Sequence, residues 1–242
     1  METNTKILSS FKVKDKMNDE IWDLSKKTPT MHSDVRNSLL DIAENFISFL
    51  GFDIFVQDIT MTGSLANYNW SSFSDIDLHI IFNYKDAGEQ EEIFKDLFKL
   101  KKTVYNSTHD ITVKGYEVEL YVQDSNEPHF STGVYSVLYN SWIEKPERES
   151  VKIQYEKILE KSQLWMDKID NLIENYEDND LDQVLKSIDN LKTKLKDFRG
   201  SGLEDGGEYS YENLTFKFLR RNGYIDKLFD FSNQITDKSL SL

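Results

Sequence analysis

The residues best equipped for chemistry lie in "TGSLANYNWSSFSDIDLHI", residues 62–80. Asp75 and Asp77 are separated by one isoleucine and run into strand-forming residues, and a Gly63-Ser64 pair precedes them. Side chains alternate along a strand, so both carboxylates fall on one face, roughly 6.5 Å apart along the chain. Two like charges held that close repel, and each favours solvent or a counter-charge. A hard divalent cation meets that need: Mg²⁺ commonly takes one or two carboxylates together with substrate phosphate oxygens. Two such ions about 3.5–4 Å apart can hold both the attacking and the leaving oxygen of an in-line displacement. A third carboxylate from a neighbouring strand would complete the set. Glu119 is the best placed, with Glu117 close behind; Glu119 sits deeper in its strand, between the better-buried Val118 and Leu120. The plainer alternative is a solvated strand face in an acidic chain.

The Gly-Ser pair supplies the complementary half. Glycine lets backbone approach a phosphate closely, and Ser64 adds a hydroxyl. A short helix starting at Ser64 would also turn its free N–H groups toward an anion.

Around these residues the sequence predicts an α/β front half. Residues 34–51 recur at helical spacing (Leu39, Ile42, Phe46, Leu50), with Ser33 as cap and Gly51 as terminator. "FDIFVQDIT" (52–60) predicts a strand leading into the Gly-Ser turn, and "SDIDLHIIF" (74–82) predicts a second. In that second strand Asp75, Asp77 and His79 share one face, and Ile76, Leu78, Ile80 and Phe82 the other. Residues 89–102 predict a helix with acids first and lysines last, as the helix dipole favours. "DITVKGYEVELYVQD" (110–124) predicts strand broken at Gly115. "TGVYSVLYNSWIEKPE" (132–147) reads as a mixed connection, with Pro146 marking a boundary. Beyond it the chain reads as helical: a charged helix to about Glu177, one from 180 to 198, a glycine-rich loop over 199–210, and a last helix capped by Ser210 and ended by Gly223. The expectation is a catalytic core over residues 1–145 and a helical domain over 146–242.

Composition narrows the partners. The net charge of −14 weighs against a long nucleic-acid surface, which needs clustered Lys and Arg. With no cysteine, disulfides, thiolate metal sites and cysteine nucleophiles are excluded. No apolar run approaches the ~18 residues that cross a bilayer, and the first residues lack a signal-peptide pattern, so no membrane and a cytoplasmic location are expected.

Taken together, Gly63-Ser64, Asp75-Ile76-Asp77-Leu78 and Val118-Glu119-Leu120 resemble the signature of the DNA polymerase β-like nucleotidyltransferase superfamily, over roughly residues 34–124. The resemblance implies a small mixed sheet flanked by helices, binding of a nucleoside triphosphate such as ATP with two Mg²⁺ (or Mn²⁺), and transfer of a nucleoside monophosphate with release of pyrophosphate. It implies that Gly63 and Ser64 hold the triphosphate, that Asp75 and Asp77 ligate metal, and that Glu119 helps ligate metal and activates the acceptor hydroxyl. Lys217, on the last helix, could neutralise triphosphate charge, as the family often borrows a basic group from a helical segment; a plain cationic helix end is the alternative. Arg199 has the same double reading. Lys95, Lys99, Lys101 and Lys102 read as a solvated helix face, with RNA or DNA contact as the alternative; His79 reads as hydrogen-bonded beneath the site, the alternative being to line it; Tyr68 and Trp70 read as loop packing, the alternative being to stack on a base. The acceptor stays open among a small molecule, a nucleotide, a protein and an RNA end, as do the base and the oligomeric state. Two other readings of the same signature are a non-catalytic nucleotide-binding or antitoxin-like module and a nucleotide-cyclising or oligonucleotide synthase.

Overall fold

The computed structural model describes residues 2–52, 54–127, 131–176 and 180–241. Asp53 and Glu177, named above, lie outside these residues. The chain forms two compact units. One spans Val13–Ser150; the other combines the chain up to Lys12 with Val151 onward. The expected helical domain thus gains an N-terminal piece, helix α1 (Glu2–Ser9), which packs against a later helix.

The first unit is built on a six-stranded mixed sheet. Its strands are β3 (Asp58–Thr62), β4 (Ile76–Phe82), β5 (Thr112–Val113), β6 (Tyr116–Asp124), β7 (Val134–Ser136) and β8 (Ser141–Glu144), in the order β5-β6-β4-β3-β7-β8. A two-stranded ribbon, β1 (Trp22–Asp23) with β2 (Thr30–Met31), forms a separate small sheet that packs on it through Trp22, against Tyr135 and Trp142. Among the described residues only β4 and β6 pair in parallel; helix α3 (Glu91–Thr108) provides the crossover such a pair requires. Helix α2 (Ser33–Leu50) buries Val35, Leu39, Ala43, Phe46 and Leu50 and ends on left-handed Gly51. Its cap is His32 rather than Ser33: Ser33 has already entered the helix, and the His32 side chain makes no capping hydrogen bond.

Strand alternation divides β4 and β6 into two faces. Ile76, Leu78, Ile80, Val118 and Leu120 are buried in the core with Phe46 of α2 and with Phe98 and Tyr105 of α3. Asp77, His79, Glu119 and Tyr121 are half-buried on the opposite face. The outer edge of β6 is closed by an amide: Asn106 donates to the Leu120 carbonyl (3.0 Å) and accepts from the Leu120 N–H (3.1 Å), standing in for a neighbouring strand.

The segment read as a mixed connection contains the β7–β8 hairpin, turned at Asn140, which has positive φ. Residues 54–57 are not strand, so β3 is shorter than the pattern predicts.

In the second unit, α4 (Tyr155–Glu174), α5 (Leu181–Gly206), α6 (Tyr211–Arg221) and α7 (Tyr224–Leu240) pack with α1. Asp180 caps α5 and Ser210 caps α6, each accepting from the N–H three residues on. The glycine-rich stretch expected to be a loop is mostly the last turns of α5. Gly202 explains this: a Cβ there would lie 2.4 Å from Glu212 Cβ, so the glycine lets α5 and α6 approach. Gly223 both ends α6 and begins α7, a helix the sequence reading did not separate. Arg221 anchors the N-terminal piece, donating to Ser10 Oγ at 2.6 Å with its guanidinium over Phe11. Among the described residues no helix is long and apolar enough to cross a membrane.

Candidate functional site

The strand registers determine which acids meet. Asp77 is the pairing partner of Thr62 in β3 on one side and of Glu119 in β6 on the other. Parallel pairing puts Asp77 and Glu119 on the same face of adjacent strands, about 4.8 Å apart in the hydrogen-bonding direction. Asp75 lies just before β4. Ligand oxygens of Asp75, Asp77 and Glu119 all fall within 4.8 Å of one another, and the three residues are half-buried. Glu117 is exposed and is brought instead against Thr112 in the β5–β6 hairpin.

Gly63 closes over this cluster from the end of β3. Its φ of 76° and ψ of −163° belong to a region essentially reserved for glycine. A Cβ built there would sit 1.9 Å from Asp77 Oδ2. The backbone therefore touches the carboxylate in a way no other residue permits. The turn itself is held from below: Leu65 and Ala66 are buried in the short 3₁₀ helix Ser64–Ala66, and the Trp22 indole donates to the Leu65 carbonyl at 2.7 Å. Ser64 Oγ is hydrogen-bonded to Ser74 Oγ at 2.6 Å, and Ser74 also accepts from the Ser71 N–H. Ser74 thus joins the Gly-Ser turn to the residue before Asp75.

Tyr121 adds a second layer that sequence reading missed. Its hydroxyl donates to Glu119 Oε2, its ring stacks on His79 (4.8 Å, 16°), and Lys102 Nζ lies 4.2 Å from the ring centroid. Burial, reinforced by the bond to Glu119 and the charges of Asp77, Glu119 and Asp75, pushes the phenol well above its usual range, so it stays protonated and able to donate. His79 Nε2 reaches Thr62 Oγ1 at 3.2 Å. The signal for Tyr121 was present: it lies two residues after Glu119, on the same strand face. From sequence alone Lys102 belongs to a solvated helix face, because nothing in its spacing shows that α3 lies beside β6.

The donor set suits a hard cation. The donors are all oxygens, the charges repel one another in half-burial, and the cradle over Asp77 would be filled by any Cβ. Among the described residues neither Asp75 nor Glu119 forms an ion pair with a lysine or arginine.

The other candidates have partners of their own. Lys217 is in the second unit, paired with Glu208 at 2.8 Å, and Arg199, in the same unit, donates to Asn213. Trp70 donates to the Lys16 carbonyl and carries Lys14 Nζ over its ring, which is loop packing; Tyr68 accepts from the Lys14 N–H through its backbone. No protein-family profile, curated protein or solved structure matches the chain.

Proposed function

We propose that the Val13–Ser150 unit is a metal-dependent nucleotidyltransferase of the polymerase β-like type, moving a nucleoside monophosphate from a nucleoside triphosphate to an acceptor hydroxyl. The observation that carries this reading is the contact between Gly63 and Asp77 within a cluster of three carboxylates. A solvated acidic face needs no glycine pressed against one of its acids. A turn that must lie directly against metal-binding carboxylates does.

In this reading Asp75, Asp77 and Glu119 hold Mg²⁺ or Mn²⁺, which when bound supplies neutralisation of charge on the α-phosphate and the departing pyrophosphate. Gly63, lacking a side chain, lets the turn lie against Asp77, and Ser64, oriented by Ser74, offers the triphosphate a hydroxyl beside the acids. Glu119 takes the proton of the acceptor hydroxyl on the oxygen that Tyr121 does not occupy. The acceptor oxygen forms its bond to the α-phosphorus as the bond to the bridging oxygen breaks, and pyrophosphate leaves. Lys102, beside Tyr121, is a better-supported source of positive charge near the acids than Lys217, which is spent on Glu208.

The test is to incubate the protein with each α-labelled triphosphate, Mg²⁺ or Mn²⁺, and separate pools of RNA, protein and metabolites. Label should pass to one pool in the wild type and not in Asp75→Ala. Absence of transfer and of pyrophosphate release in every pool would favour a non-catalytic nucleotide-binding module, and a labelled nucleotide product would favour a cyclising or oligonucleotide synthase.

A further inference from the structure

The second unit contains a cavity whose charge is opposite to that of the acidic cluster. It lies among α5, α6 and α7 and measures about 340 Å³, within the size range of small-molecule sites. Buried Leu195 and Leu228, together with Phe216, form its apolar wall, and Phe229 stands half-exposed at its side. Its charged lining is wholly cationic: Lys192, Lys196 and Arg199, with no Asp or Glu among the described lining residues.

These cations are one face of α5, spaced four and then three residues apart. Three like charges in two turns repel, yet among the described residues none of them forms an ion pair with a carboxylate, in a chain whose net charge is −14. Arg199 is fixed in place: its Nε donates to the buried Asn213 at 3.2 Å and its guanidinium lies 4.7 Å from the Phe216 ring centroid. Lys192 is similarly placed, 4.4 Å from the Phe229 centroid. Glu208, the acid that acts on Arg199, is bonded to Lys217. Burial, and then the charge of Arg220, work against the Arg199 cation, a cost that an entering anion would offset.

We propose that this cavity binds a small amphiphilic anion, a carboxylate or phosphate head joined to an alkyl or aryl body. The head lies among Arg199, Lys192 and Lys196, and the body packs on Phe216, Leu195 and Leu228. A mononucleotide fits this chemistry poorly: beyond the Thr193 hydroxyl, the lining side chains offer no acceptor for the amino groups of a base, which would be buried unpaired. The ligand therefore carries its polar atoms at one end. This site stands whether or not the acidic cluster transfers nucleotides.

Calorimetric titration of the full chain with octanoate, octyl phosphate and octylammonium tests the assignment. Both anions should bind, the stronger of the two identifying the head group, and octylammonium should bind at least tenfold more weakly. Shortening the chain from eight carbons to six should weaken binding about fourfold per methylene, the equivalent of ~0.8 kcal/mol each. Lys196 is exposed, so Lys196→Glu should leave thermal melting unchanged and weaken the anions tenfold or more. Arg199→Met should weaken them further; if the loss of its bond to Asn213 lowers the melting point, Lys196→Glu still decides. Four outcomes would overturn the proposal: no binding at millimolar anion, equal affinity for octylammonium, indifference to Lys196→Glu, or AMP binding as tightly as the alkyl anions.

Discussion

The two faces of strands β4 and β6 are made of neighbouring residues and do opposite work. Ile76, Leu78, Ile80 and Leu120 are fully buried and hold the sheet to α2 and α3. Asp77, His79, Glu119 and Tyr121, one residue out of phase, place two carboxylates, an imidazole and a phenol at short range. The first face lowers the free energy of the fold by removing apolar surface from water. The second raises it, since clustered acids repel in partial burial. The apolar face thus supports the strain carried by the polar one, and stability and activity should respond to different substitutions along the same strand.

The largest separation is expected at Asp77. Asp77→Asn should lower transfer by at least about a thousandfold, ~4 kcal/mol in the barrier, while the melting temperature stays level or rises as repulsion is relieved. Activity assays beside thermal denaturation check both halves. The reverse case is Leu78→Ala, which should cost about 2–5 kcal/mol of stability by denaturant titration and leave the chemistry of the remaining folded protein largely intact. A loss of activity much larger than the loss of folded protein would mean that the faces are not separable.

Gly63→Ala bridges the two behaviours. The new Cβ would meet Asp77 Oδ2 and the backbone would be held at positive φ, so about 1–3 kcal/mol of stability and most metal affinity should be lost together. Tyr121→Phe is the finer test. It removes the donor to Glu119 and keeps the ring on His79, so metal affinity should fall by about ten- to a hundredfold, with activity recovering at high metal. Glu117→Gln should change none of these readouts by more than about 0.5 kcal/mol, because Glu117 is exposed on the β5–β6 hairpin.

Much of this was legible in the chain. Alternation in "SDIDLHIIF" and "YEVELYV" determines which residues share a face, and Ser210 and Gly51 act at helix ends as their chemistry predicts. What alternation cannot give is register: that Asp77 pairs with Glu119 rather than Glu117 depends on how β4 and β6 align, which is a tertiary fact. Glycine was ambiguous for the same reason. Gly202 and Gly206 read as loop, but Gly202 is a contact point between helices and Gly206 the last residue of α5. Helix α7 has Ile225, Leu228, Phe231 and Ile235 at helical spacing, and was obscured because Gly223 was read as an end when it is also a beginning. The β1–β2 ribbon, two residues on each side, is too short to leave a pattern, although its Trp22 holds the Gly-Ser turn.

The central claim is that the acids and the Gly-Ser turn form one metal and triphosphate site, and it can be tested without knowing the acceptor. Mn²⁺ binding, counted by electron paramagnetic resonance with and without a non-hydrolysable triphosphate, is the most direct measurement. Two ions should bind per chain in the presence of the triphosphate and be lost in Asp77→Asn, with the fold unchanged. Binding that is weak, indifferent to the triphosphate and equal in Asp77→Asn would contradict the account.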